Sequence, residues 1–286
     1  MSQPEEQLIT EIQQTRYIAA ATVLALLWTI ESLAPMFVGR VRRVSHAAAN
    51  VALASLNAVF AYGFAFGILF VTELAQEHRL GLLAQFDLPI WLHGLLALLL
   101  FDCWQYWWHR INHRLPLLWR FHAVHHADAE MDVSTGVRFH TGEMVLSLLM
   151  RLAVLPLIGM TLPQLLLYEA ISLPVILFHH SNIRISAGVD RSLRWLIVTP
   201  WMHYVHHSRW QPETDSNYAS VLSIWDRLFR SFRLRERPDE IELGLDHWEP
   251  SEWRRLGGIL MAPFRKRRMV KSTSDREQST RGNAPP

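Results

Sequence analysis

The chain has a single cysteine in 286 residues, Cys103, and it lies in an apolar stretch. An intramolecular disulfide is therefore impossible, and a thiolate metal site of the CxxC kind is absent. There is no GxSxG, no Walker-type loop and no GxGxxG between a strand and a helix, so nucleophilic hydrolysis and phosphate-loop chemistry have little footing. Charge is nearly balanced, with 28 Lys+Arg against 26 Asp+Glu, and a net charge of +2 implies no nucleic-acid partner. The opening residues, MSQPEEQLITEIQQTR, lack the basic start of a cleaved signal peptide, so the apolar run behind them is expected to stay as an anchor.

Apolar residues, by contrast, make up half the chain and come in long runs. A bilayer-spanning helix needs about 20 of them. Residues 17–38, 50–75 and 88–108 each read as a span. Residues 143–178 are interrupted by Pro156, Pro163 and Pro174, and Gly159-Met160-Thr161-Leu162-Pro163 is turn-like, which favours a helical hairpin over one long kinked helix. Residues 224–234 read as a surface helix, and 264–286 as a disordered tail, basic and then polar. The expected fold is all-α and polytopic, with about four to five transmembrane or hairpin helices and a histidine-rich helical cap. Three regions follow: N-terminal membrane helices over 1–94, a histidine-rich domain over 95–235, and a C-terminal amphipathic segment and tail over 236–286. Arg40, Arg42 and Arg43 put the first loop in the cytoplasm by the positive-inside rule, and a hairpin over 143–178 then puts every patterned histidine on that side as an integral membrane site.

Ten of the fifteen histidines follow one scheme. His109 and His113 form HxxxH; His122, His125 and His126 form HxxHH; His203, His206 and His207 form HxxHH again. His140 follows Arg138-Phe139, and His180 precedes Ser181-Asn182; His180 is preferred over the adjacent His179 as a ligand. On a helix, positions i, i+3 and i+4 share a face, so each motif aims its imidazoles together. Neutral imidazole ligates iron, zinc and copper, and ten converging rings exceed what one ion can use. Burying them without partners is costly, and ligation removes that cost. His46, His78, His93 and His247 lack the spacing and read as ordinary histidines.

Carboxylates are scarce around these motifs. Asp102 lies two helical turns before His109, and an acid within a span marks function by default. It is expected to accept the N–H of a ligand imidazole and hold its tautomer. Glu143 and Asp215 are candidates for the same task, with Glu143 also readable as an acid at a helix N-terminus. Glu31 in the first span reads as an arginine partner that holds the fold.

These residues resemble the fatty acid hydroxylase/sterol desaturase superfamily of membrane-bound di-iron enzymes, from about residue 95 to 235. The likeness rests on Asp102-Cys-Trp-Gln-Tyr-Trp-Trp-His-Arg-Ile-Asn-His113, Leu118-Trp-Arg-Phe-His-Ala-Val-His-His126 and Arg138-Phe-His-Thr-Gly-Glu143. It continues through His180-Ser-Asn182, Thr199-Pro-Trp-Met-His-Tyr-Val-His-His207, Asp215-Ser-Asn-Tyr218 and Trp225-Asp-Arg-Leu-Phe229, with Glu31-Ser-Leu-Ala-Pro35 upstream. Four positions depart from the family pattern: Thr141 stands where Pro is usual, Ala219 where Gly is usual, and Arg230-Ser231 where Gly-Thr is usual. None removes a candidate ligand. The resemblance implies two ferrous ions, O2 as co-substrate, and hydroxylation or desaturation of a sterol, fatty acyl or related membrane lipid at a C–H bond. It also implies an external electron donor of reductase, ferredoxin or cytochrome type, because no flavin, nicotinamide or cytochrome b5 fingerprint is present. Two other classes stay open at this point: a membrane zinc hydrolase, which would use fewer ligands and often a carboxylate, and a non-catalytic metal- or haem-binding membrane protein.

Overall fold

A computed structural model describes residues 3–40, 42–246 and 255–265. Helices dominate, and no β-strand longer than an isolated bridge occurs among the described residues. In chain order they are α1 (Gln3–Leu33), α2 (Arg43–Glu77), α3 (Ile90–Arg114), α4 (Pro116–His126), α5 (Thr141–Ile158), α6 (Leu162–His180), α7 (Ala187–Leu193), α8 (Pro200–His206), α9 (Gln211–Thr214), α10 (Ile224–Leu228) and α11 (Leu256–Met261).

Three of these, α2, α5 and α6, are long and apolar enough to cross a membrane, and α1 contributes a shorter apolar stretch over Ile18–Leu33. The expected third span is a helix, α3, but it falls outside that set. Its second half carries Asp102, Gln105, His109, Arg110, His113 and Arg114, which dilute its apolar character. Residues 143–178 form two helices. Gly159 ends α5 with φ of 82°, and Thr161 and Gln164 cap the start of α6 reciprocally. The turn is clamped from outside by Gly81, whose φ is 98° and where a Cβ would lie 2.4 Å from the Pro156 carbonyl oxygen. Only glycine fits there. The hairpin returns the chain to the level at which it left, so His140 and His180 stand at one end of the bundle.

Between the long helices lies an apolar core of Ile68 (α2), Phe101 (α3), Leu148 and Leu155 (α5), and Leu165 and Tyr168 (α6). At the histidine-bearing end, Glu31 is buried and accepts hydrogen bonds from Arg43 Nη2 (2.6 Å), Val133 N (3.0 Å) and Asn182 N (2.8 Å). It joins α1 to α2 and to the chain leaving α6. This is the fold-holding arginine partnership expected of it.

The surface helix expected over 224–234 stops at Leu228. Ser231 N and Phe232 N both return to the Asp226 carbonyl, and the chain turns at Arg230 with φ of 59°. Beyond the helix end Phe229, Phe232 and Leu234 pack around Tyr106, Val198 and Tyr218, so tertiary burial overrides the helical pattern. The expected tail lies almost wholly outside the described residues, as does His247.

Candidate metal centre

The site is assembled from four helix ends. α3 delivers His109 and His113 from its last two turns. α4 starts directly afterwards with Pro116 in its first turn, where a missing N–H costs nothing, and carries His122, His125 and His126. α8 repeats the device: Thr199 caps it, Pro200 opens it, and His203, His206 and the adjoining His207 share its inner face. His180 arrives from the end of α6.

Nine imidazoles converge into two groups, His109, His113, His122, His126 and His206 in one, and His125, His180, His203 and His207 in the other, each with its ligand nitrogens within 4.8 Å of one another. Both HxxHH motifs are split between the groups: the i, i+4 pairs His122/His126 and His203/His207 each stay together, and the middle histidine of each motif, His125 or His206, joins the other group. The groups abut: the rings of His126 and His207 stack at 4.4 Å between centroids.

Tautomers follow from what holds each ring. His109 Nδ1 faces the Tyr218 carbonyl (2.8 Å), His206 Nδ1 the Ser216 carbonyl (2.6 Å) and His122 Nδ1 the Glu143 carboxylate (2.7 Å). Each partner is an acceptor, so each Nδ1 carries the hydrogen and donates it. The three Nε2 atoms are then bare, yet they face each other at 3.0 Å (His109–His122) and 3.1 Å (His109–His206). In the second group His125 Nδ1 donates to the Arg138 carbonyl (3.2 Å) and His180 Nδ1 to the Ile176 carbonyl (2.7 Å). Their Nε2 atoms face each other at 3.1 Å. Lone pairs opposed at this distance repel unless a cation lies between them. Protons do not fill that place: burial, then the neighbouring imidazoles, push His125, His126, His203 and His207 well below the ordinary histidine value, and His206 down to about 3. The residues present therefore fit two metal ions held by imidazole nitrogen.

Of the expected supporting carboxylates, Glu143 sits against His122 as described. Asp215 Oδ1 stands 3.4 Å from His113 Nδ1, although that ring makes no aligned hydrogen bond. Asp102 touches no imidazole. It accepts from Tyr168 Oη (2.7 Å), Trp225 Nε1 (2.7 Å) and Leu222 N (3.1 Å), and so ties α3 to α6 and α10. The seven-residue spacing to His109 is close to two turns, but Asp102 faces helix neighbours that the sequence does not reveal.

His140, the tenth expected ligand, is not brought to either group. Its Nδ1 accepts from Gly142 N (2.9 Å) to cap α5, and its Nε2 donates to the Leu260 carbonyl in α11 (3.1 Å). Both nitrogens are already engaged. His180, preferred over His179, is the one in a group; His179 is buried and packs on the His203 ring at 4.0 Å.

What sequence reasoning missed is mostly backbone. Four carbonyls orient ligand rings, and carbonyls have no sequence signature. Arg138-Phe139-His140 gains a meaning this way: the Arg138 carbonyl holds His125, the Phe139 ring stacks on it at 4.7 Å, and His140 caps the next helix. Arg138 is itself buried, with Nε on the Val124 carbonyl and Nη1 on Asn50. His46, read as ordinary, is buried between Asp128 (2.8 Å) and Asp132 (3.1 Å) beside that arginine. Only a doubly protonated ring donates to both. The histidine motifs gave no hint of this network.

Residues 94–231 match the fatty acid hydroxylase family model. Curated relatives include the ornithine lipid hydroxylase OlsE of Rhizobium tropici, 31% identical over 55% of this chain and 46% of its own length. An alkylglycerol monooxygenase of Danio rerio is 33% identical over 53% of this chain and 32% of its own. A cholesterol 25-hydroxylase of Rattus norvegicus is 29% identical over 49% and 47% respectively. The chain thus spans less than half the length of these curated relatives. No solved structure matches it. With the histidine motifs, their order and the two imidazole groups all lying in or beside the matched segment, residues 94–231 belong to the fatty acid hydroxylase family.

Proposed function

We propose that this protein is an O2-dependent, di-iron lipid hydroxylase of the membrane. The observation that carries the reading is the pair of abutting imidazole groups, in which rings held through Nδ1 by acceptors turn their Nε2 atoms toward each other at 3.0–3.1 Å. In this reading His109, His113, His122, His126 and His206 hold one iron and His125, His180, His203 and His207 the other. Two bound ferrous ions supply the reduction of O2 and the attack on an unactivated C–H bond. The chain's own residues hold the rings: Glu143 and the carbonyls of Tyr218, Ser216, Arg138 and Ile176 keep the protons on Nδ1 and leave Nε2 free. Nearly all of these rings are buried, which keeps bulk water from the centre.

The substrate is a membrane lipid. The relatives' names are those of hydroxylases and monooxygenases acting on ornithine lipid, alkylglycerol and cholesterol, which favours hydroxylation over desaturation. Electrons come from a separate donor of ferredoxin, reductase or cytochrome type. A cytoplasmic centre is supported by the positive-inside rule, because the loop bearing Arg40, Arg42 and Arg43 is tied to the histidine-bearing end through Glu31, Asn182 and Ile183. Nine imidazoles without a carboxylate ligand count against a zinc hydrolase.

The test is metal analysis by mass spectrometry on detergent-purified protein from iron-supplemented cells, followed by incubation with reductant, O2 and a lipid panel. About two irons per chain without haem absorbance, and a lipid product one oxygen heavier, are expected. One zinc or none in a folded protein would overturn the reading.

A further inference from the structure

One part of the histidine-bearing domain descends far below the metal centre. Residues 193–198 and 221–228 form an elbow closed by the bridge of Ile197 with Leu222. Its tip is held by Asp102 of α3, through Leu222 N and Trp225 Nε1, and the same carboxylate accepts Tyr168 Oη of α6. Tyr168 lies twelve residues before His180 and Asp102 seven before His109, so the tip sits about 10–18 Å down these helices from the centre at 1.5 Å per residue. Val221 is buried in the core of the long apolar helices, among Phe101, Leu165 and Tyr168. The elbow therefore occupies the depth of the candidate spans.

Its outer face is apolar. Trp195 is 70% exposed, Leu196 66%, Ile224 53% and Leu228 60%. Much of the backbone beneath them is paired within the elbow. Val198 N bonds to Val221 O and Ser223 N to Leu196 O. The Arg194 and Ser223 carbonyls are taken by Arg227, whose guanidinium also lies 5.0 Å over the Trp195 ring. Non-helical chain is tolerated at membrane depth only when its polar groups are paired in this way. Arginine over tryptophan beside apolar side chains is the chemistry of an interfacial anchor.

We propose that this elbow is embedded in the bilayer, with Trp195, Leu196, Ile224 and Leu228 facing lipid acyl chains and the Arg227 guanidinium turned inward onto the Arg194 and Ser223 carbonyls. The proposal rests on α2, α5 and α6 being membrane spans. It makes the elbow a re-entrant wall beside α3, rather than a docking face for a soluble protein.

The experiment uses full-length protein in phosphatidylcholine/phosphatidylglycerol nanodiscs, with Cys103→Ala removing the only cysteine. Nitroxides are placed singly at Leu196→Cys, Ile224→Cys and Leu228→Cys. Leu167→Cys, on the outer face of α6, is the lipid control, and Glu242→Cys is the aqueous control. Collision with O2 and with a neutral nickel chelate is then measured on labelled proteins whose metal content matches that of the Cys103→Ala parent. The expected result is an O2-to-nickel ratio at 196, 224 and 228 several-fold above that at 242 and close to that at 167. A lipid-like 167 with water-exposed elbow positions would overturn the proposal and leave the patch for a soluble partner. A water-exposed 167 would overturn the membrane reading itself, and the proposal with it.

Discussion

Glu143 Oε1 accepts the Nδ1 hydrogen of His122 at 2.7 Å, so a carboxylate at the start of α5 sets the tautomer of a ring in the five-histidine group. It is the one side-chain acceptor among the Nδ1 contacts; the others are backbone carbonyls. Replacing it by Gln keeps the size but lets an amide hydrogen face the ring. Glu143→Gln is expected to lower metal affinity by about 10- to 100-fold with little change in fold, measured by chelator competition and circular dichroism. Unchanged affinity would remove Glu143 from the centre.

His125 and His206 belong to different groups. His125→Ala and His206→Ala are each expected to reduce bound metal and abolish lipid oxidation, whereas His140→Ala should keep the metal and lose its cap on α5 and its bond to the Leu260 carbonyl, about 1–3 kcal/mol together. Metal analysis of the three variants side by side checks this. Loss of metal in His140→Ala alone would restore His140 as a ligand.

Asp102 accepts three hydrogen bonds between helices and touches no imidazole. Asp102→Asn turns an N–H group against at least one donor, at a cost of about 1–3 kcal/mol. A lower thermal midpoint with unchanged metal stoichiometry is expected. Metal loss without destabilisation would reinstate a direct role at the centre.

The metal-free protein should be acid-labile. Burial and the neighbouring rings depress the folded-state values of His125, His126, His203 and His207, and bring His206 to about 3. Below the unfolded value near 6.5 the unfolded chain takes up protons that the folded chain refuses, so stability is present above that pH and lost as pH falls. The loss is about 1 kcal/mol per histidine per pH unit. Thermal midpoints of metal-stripped protein are expected to drop between pH 7.5 and 5.5; a flat profile would contradict the buried neutral rings.

Arg230 holds φ of 59°, in the left-handed region that favours glycine. Arg230→Gly relieves that strain and is expected to raise stability by about 1 kcal/mol, read as a higher thermal midpoint with unchanged metal content. A lower midpoint would show that Arg230 contributes more by contact than it costs by strain.

The histidine spacing by itself placed three rings on one face of α4 and three along α8, and the turn chemistry of Gly159 to Pro163 placed the α5–α6 hairpin. Both are local properties: helical periodicity and a backbone break act over a few residues. The same locality explains the misreadings. Helical spacing reads Asp102 as the partner of a ligand imidazole and the place after Arg138-Phe139 reads His140 as a ligand, while their partners in the fold, Tyr168 and Leu260, lie 66 and 120 residues away. The pairing of His46 with Asp128 and Asp132 spans more than 80 residues and has no motif. Periodicity determined which imidazoles share a face. Only the packing of α3, α4, α6 and α8 decided which of them meet, because a side chain's partner is set by long-range contacts that no local spacing encodes.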